Sequence, residues 1–284
     1  MSTKSHPDPD HVAHVSALAS ATEHHSLTGH FQIHRAFHSR FLSVDHDVIV
    51  YLPPGYVEGS HRRYPVLYMH DGQNLFDIAT SFGKTEWGMD EAAQTLILTG
   101  AIDPLIIVGI YNAGALRIDE YTPTRDSAKK VGGKANLYGR MLVEELKPFI
   151  DGEYRTLPDL ANTGLGGSSL GGLVSLYLGL KYAGIFGRLG ILSPSVWWDN
   201  RFIVRRVKAL STKPPQRIWL STGTAEGRGV AKSARTVRDA LIAKGWVLGG
   251  DLAYFEVEGG THHESAWAAI MEPMLRFLFP RSGV

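Results

Sequence analysis

The 284-residue sequence predicts an α/β fold, a mostly parallel central sheet flanked by helices and preceded by an antiparallel hairpin. Three observations predict it. Six short runs, at 64–70, 104–112, 161–169, 188–195, 217–224 and 252–260, look fully buried, as strands inside a parallel sheet are. Amphipathic stretches of helical length alternate with them, around 88–99, 135–151, 170–183, 199–210, 229–244 and 264–279, and that order is the signature of right-handed βαβ units. Ahead of both, "HFQIHRAFHSRFLSVDHDVIVYLPP" (30–54) alternates apolar and polar residues twice, the period of a hairpin with one wet face.

In chain order, residues 1–28 are polar and His-rich with only weak helical spacing, and read as an N-terminal arm, possibly flexible. Residues 29–284 then read as a single domain, a length that one large core can serve. No internal repeat or low-complexity segment interrupts it. Apolar residues at 44%, charged residues at 20% and a net charge of +1 place the chain among ordinary globular proteins and leave no basic surface for coating nucleic acid or acidic lipid. The absence of cysteine excludes disulfides, thiolate metal sites and a cysteine nucleophile. It fits a reducing compartment, and the N-terminus carries no apolar run of signal-peptide length, so a cytoplasmic address without membrane contact is expected.

Ligands of such sheets bind at the carboxyl ends of the strands, so the loops after the apolar runs hold the chemistry. Gly167-Ser168-Ser169-Leu170-Gly171 matches G-x-S-x-G, in which a serine sits on a sharp strand-to-helix turn. Only Ser169 has glycine both two residues before and two after; Ser168 would need it at Leu170. Glycine-rich chains produce this pattern by chance, so its context carries the argument: a strand-like run before it and the helical "LGGLVSLYLGLKY" after it. The alternative, a phosphate-binding turn, lacks G-x-x-x-x-G-K-[ST].

A serine hydroxyl needs a base, and the base needs an acid to orient it. Behind this kind of turn they follow the serine in the order acid, then histidine. The histidines downstream of Ser169 are His262 and His263, just past the last predicted strand. Glu226 lies in the loop after the preceding strand and is the expected acid, with Asp199 in "SVWWDN" as the alternative. Two backbone N–H groups must face the negative oxygen of the tetrahedral intermediate. Leu170, after the serine, supplies one; Gln73, beside Gly72 in "YMHDGQNLF", supplies the other. Trp197 and Trp198, at a strand's carboxyl end, are expected to line an aromatic pocket. His11, His14, His24, His25 and Asp45-His46-Asp47 form no clear ligand set, so no metal and no cofactor is expected.

Taken together, "YPVLYMHDGQNLFD", "EWGMDEAAQTLI", "PLIIVGIYNAGALRIDEYTP", "GGSSLGG", "SPSVWWDN", "STGTAEG" and "GGTHHESAW" resemble the putative esterase group of the α/β-hydrolase superfamily, which includes feruloyl and acetylxylan esterases of carbohydrate esterase family one and the enterochelin esterases. The likeness covers most of the chain from about residue 30 onward. It implies an α/β-hydrolase fold and a serine ester hydrolase acting on a small-molecule ester. It implies Ser169 as nucleophile and Glu226 as acid. It selects His262 over His263, because the family's base is followed five residues later by tryptophan, here Trp267. It also places Asn112, Arg117, Glu120 and Tyr121 in a segment flanking the substrate cleft, Arg117 meeting an acidic or phenolic substrate group or pairing with Glu120. A feruloyl- or acetyl-type carbohydrate esterase is the expected activity. A siderophore trilactone esterase, a mycolyltransferase-like acyltransferase and a non-catalytic binding protein are the alternatives.

Overall fold

The computed structural model describes residues 24–56 and 61–281. Strands β1 (His30–Phe37) and β2 (His46–Leu52) form the expected antiparallel hairpin. They are followed by β3 (Val66–His70), α1 (Met89–Leu98), β4 (Ile106–Ile110), the short helix α2 (Arg117–Glu120) and a small ribbon of β5 (Arg125–Asp126) with β6 (Val131–Gly132). The predicted helix at 135–151 is α3 (Ala135–Arg140) and α4 (Lys147–Glu153), joined through a π-helical stretch at Met141–Leu146. The remainder alternates as expected: β7 (Thr163–Ser168), α5 (Leu170–Lys181), β8 (Arg188–Leu192), α6 (Trp198–Lys208), β9 (Arg217–Gly223), α7 (Val230–Ala243) and β10 (Leu252–Val257). It closes with α8 (Glu264–Ala268) and α9 (Met271–Leu278).

The main sheet has the order β1-β2-β4-β3-β7-β8-β9-β10, antiparallel through β1, β2 and β4 and parallel from β4 onward. Central strands β3, β4 and β7 are buried at every residue, which is why their sequences are mostly apolar or glycine rather than alternating, with polar His70, Thr163 and Ser168 only at strand ends. The edge strands β1 and β10 keep partly exposed residues. Two apolar clusters cover the two faces. One takes its helical side chains from α3 to α7, the other from α1, α8 and α9. α5 is buried from Leu170 to Leu180, as befits the helix that follows a central strand. Among the described residues no helix is long and apolar enough to cross a membrane.

The last residues of the predicted arm are bound to this domain. His25 and Ser26 contact Asp77, and Ser26 and Thr28 contact Glu86, Asp90 and Glu91. Residues 1–23 of the arm lie outside the described residues.

Candidate active site

The turn from β7 into α5 consists of Ser169 alone, at φ 58° and ψ −120°. An L-residue adopts this backbone at a cost of order 1–3 kcal/mol and keeps it only where the surroundings enforce it. They do so here. The Ser169 N–H donates to Leu192 O at 3.0 Å, and Ser195 N–H donates to Ser169 O at 3.0 Å, latching the turn to the end of β8. A Cβ on Gly167 would lie 3.1 Å from both the Gly171 carbonyl carbon and His70 Cβ, a tight contact that favours glycine there. The Ser169 hydroxyl lies 3.4 Å from that of Ser195, and Ser168, buried, ends β7 beside it. Leu170 is the first residue of α5, where a backbone N–H has no partner one turn back and the helix dipole presents its positive end.

Glu226, in the loop after β9, faces His262, in the loop after β10, with Oε2 2.8 Å from Nδ1. Its other oxygen accepts the Ser193 hydroxyl and the Gly223 N–H, each at 2.5 Å, and its side chain is 1% exposed. Burial works against ionising this carboxyl. The hydrogen bonds from His262, Ser193 and Gly223 outweigh burial, so it is held below the ordinary glutamate value. A carboxylate only accepts, so His262 carries its proton on Nδ1 and leaves Nε2 as a base. The Trp267 indole packs edge-on against the His262 ring at 5.1 Å and donates to Ser193 Oγ at 3.0 Å. The two loops cross at glycines: a Cβ on Gly223 would lie 2.1 Å from the Gly260 carbonyl oxygen. His263 is used differently, capping α8 by accepting the Ser265 N–H at 3.3 Å. Asp199, the alternative acid, sits in a left-handed turn (φ 42°) at the start of α6 and pairs with Arg205 at 3.5 Å.

Ser169 and His262 line one pocket of about 330 Å³, together with Gln73, Asn112, Arg117, Phe82 and Trp267. Gln73 lies in the 3-10 turn Gly72–Asn74 at the end of β3, and its side-chain oxygen accepts the Asn112 N–H at 3.2 Å. Phe82 forms an exposed apolar rim.

Three expectations are corrected by these positions. Arg117, which lines the pocket, does not pair with Glu120. Its guanidinium grips buried Asp71 in two hydrogen bonds of 2.6 and 2.7 Å, and Asn112 Nδ2 donates to the same carboxylate at 2.7 Å. Burial pulls Arg117 down, but Asp71 more than offsets it and holds the guanidinium charged. Glu120 is turned inward by the short helix α2 and lies 3.3 Å from Nε2 of buried His46. Trp198 does not line the pocket: it is 2% exposed, and its single N–H is taken by Thr124 O and Oγ1 at 3.1 and 3.0 Å. Its neighbour Trp197 is exposed, rests against Trp198 at 5.7 Å and is absent from the pocket lining.

Sequence reasoning missed Asp71 and Ser193. Both stand at strand ends with left-handed backbone, at φ 58° and 42°, and both are polar and buried. The signal for each was a small polar residue immediately after an apolar run, in "YMHDG" and "GILSP". Beside Asp71, His70 is fully buried. Burial pushes its imidazole down to about 3, with Asp71 opposing and Arg117 adding, and leaves it a neutral ring 2.9 Å from the Tyr138 hydroxyl.

The family described as "Putative esterase" matches residues 39–278. The "Uncharacterized protein YbbA" of Bacillus subtilis is 27% identical over 270 residues, 90% of this chain and 98% of that one. An "Endo-1,4-beta-xylanase/feruloyl esterase" of Xylanibacter ruminicola is 30% identical over 240 residues, 81% of this chain but 29% of that longer one. Among solved structures, the BES protein from Bacillus cereus superposes with a TM-score of 0.72 at 22% identity, covering 92% of this chain and 99% of that one, a likeness of fold.

Proposed function

Since the chain belongs to the Putative esterase family and is a carboxylic ester hydrolase, we propose that it hydrolyses its ester by two-step acyl transfer at Ser169, with His262 as base and Glu226 as the acid that orients it. The observation that carries this reading is the meeting of three chain segments: a strained serine and His262 line one pocket, while a buried carboxylate holds His262 Nδ1. His262 takes the Ser169 proton as Oγ adds to the ester carbonyl. The Leu170 and Gln73 amides receive the negative oxygen. Collapse breaks the bond to the leaving alcohol, which takes the proton from His262. A water molecule, deprotonated by the same nitrogen, then adds to the acyl-enzyme and releases the acid, restoring Ser169.

For the substrate, the reading favoured is a feruloyl- or acetyl-type ester of a carbohydrate. The 30%-identical feruloyl esterase relative supports it, as does the pocket itself, whose exposed Phe82 rim suits an aromatic acyl group. With Arg117 already committed to Asp71, the cleft offers little uncompensated positive charge to a catecholate trilactone. Initial rates on methyl ferulate, p-nitrophenyl acetate and a siderophore trilactone test this. Turnover of ferulate well above the trilactone is expected, and the reverse ranking overturns the substrate assignment. Loss of all three activities in Ser169→Ala is expected, and parent-like rates in that variant overturn the mechanism.

A further inference from the structure

Ser193 is absent from the pocket lining, yet the contacts of Glu226 lead back to it. It follows the last residue of β8 and is 2% exposed. Its backbone is left-handed, at φ 42°, a conformation that a residue other than glycine keeps only where its surroundings enforce it. Here its N–H donates to Ser221 O on β9 at 2.8 Å, and its side chain is held from two sides.

Those two partners decide which way the hydroxyl points. An indole N–H only donates and a carboxylate only accepts. Trp267 donates to Ser193 Oγ at 3.0 Å, so the single serine proton goes to Glu226 Oε1 at 2.5 Å. The Gly223 N–H reaches the same oxygen at 2.5 Å and the Thr222 hydroxyl at 3.5 Å. Oε1 is thereby surrounded by donors, and Oε2 is left to take the Nδ1 proton of His262 at 2.8 Å. Trp267 closes the circle, because its ring packs against that imidazole at 5.1 Å. The segment around Ser193 also holds the nucleophile: Leu192 O accepts the Ser169 N–H and the Ser195 N–H donates to Ser169 O, both at 3.0 Å.

We infer that Ser193 is a positioning residue for the ester chemistry: it holds the Glu226 carboxylate with Oε2 turned to His262, and through residues 192–195 it ties that acid to the turn bearing Ser169. The inference rests on the reading of Ser169, His262 and Glu226 as the reacting set. A hydroxyl that served only the Trp267 indole would accept one bond and could send its proton anywhere. This one gives its proton to a buried charge, where a hydrogen bond is stronger than one between neutral groups. Nor are the two supports independent, since any shift of the chain after β8 moves the braces of the nucleophile and of the acid together.

The test is a double-mutant cycle read on p-nitrophenyl acetate with the full chain. Ser193→Ala should lower kcat roughly 10- to 100-fold, the effect of losing one hydrogen bond to a charged group, with KM changing by only about twofold. In the Glu226→Gln background no carboxylate remains to be held, so the same substitution should lower kcat by less than about threefold. Ser193→Gly, which suits the left-handed backbone, should show the same loss with the fold intact, as a melting curve will report. Parent-like kcat in Ser193→Ala or Ser193→Gly overturns the inference. So does an equal loss in both backgrounds, which is what a purely structural serine would give. Ser169→Ala separates this inference from the mechanism beneath it: parent-like rates in that variant overturn the mechanism, whereas a dead Ser169→Ala beside an unimpaired Ser193→Ala overturns only the role of Ser193.

Discussion

Replacing Glu226 by glutamine is expected to lower kcat on p-nitrophenyl acetate by about 10⁴, or roughly 5.4 kcal/mol of transition-state stabilisation. The magnitude follows from which way the amide must face. Two donors, the Ser193 hydroxyl and the Gly223 N–H, converge on Oε1 at 2.5 Å. The Ser193 oxygen is itself occupied by the Trp267 N–H, so its own proton has to be given away. An NH₂ group at that position would orphan two buried donors at roughly 1–3 kcal/mol each. The glutamine therefore keeps its oxygen there and turns its NH₂ toward His262 Nδ1. That nitrogen must then accept, the imidazole proton moves to Nε2, and Nε2 is no longer a base for Ser169 in the proposed mechanism. Steady-state kinetics with a parallel melting curve is the assay, with KM changing by only a few-fold and the fold intact. Activity within tenfold of the parent, or collapse in Asp199→Asn instead, would refute the reasoning.

Other expectations follow from the same contacts. Arg117→Ala should cost roughly 3–5 kcal/mol of stability by leaving buried Asp71 unpaired, and adding Asp71→Asn should recover part of it; equal melting temperatures for the single and double variants would place Arg117 in substrate binding alone. Gly223→Ala, whose Cβ would sit 2.1 Å from Gly260 O, should cost roughly 1–3 kcal/mol and reduce kcat with little change in KM, whereas unaltered turnover would show that the loops yield freely. The Glu226 carboxyl is held below its ordinary value of 4.5, so the stability from its bonds is complete above that value and is lost as pH falls through the lower folded one. The Tm gap between the parent and Glu226→Gln should accordingly narrow from pH 7 to pH 3, and a constant gap would count against that sign.

The architecture was legible because the central strands are mostly apolar or glycine along their length and the stretches between them have helical length, most of them amphipathic, a local pattern that the chain wears openly. Ser169 was legible for a related reason: the steric demand of the turn is met within five consecutive residues. Glu226 and His262 needed only strand order, since both follow directly from strands in the sheet. The partner of Arg117 was not legible, because Asp71 lies 46 positions away and meets it only once β3 and β4 pair. Trp198 failed similarly. Its place at a strand end said pocket, while the acceptor that captured its indole, Thr124, comes from the segment of the small β5–β6 ribbon, whose two-residue strands leave no periodic trace.

The glycine-to-glycine crossing of the loops after β9 and β10 also divides the site into two mechanical parts. Thr224 and Ala225 donate to the Val257 and Gly260 carbonyls at 3.0 and 2.9 Å, so the pieces bearing Glu226 and His262 are welded to each other rather than to the cleft wall. The rim, by contrast, is supplied by Phe82 and by the segment that bears Asn112 and Arg117, which are inserted after other strands. Substitutions and insertions there can reshape the cleft without disturbing the contact between Glu226 and His262. Under the proposed mechanism, substrate range and proton transfer therefore reside in separate pieces of the chain.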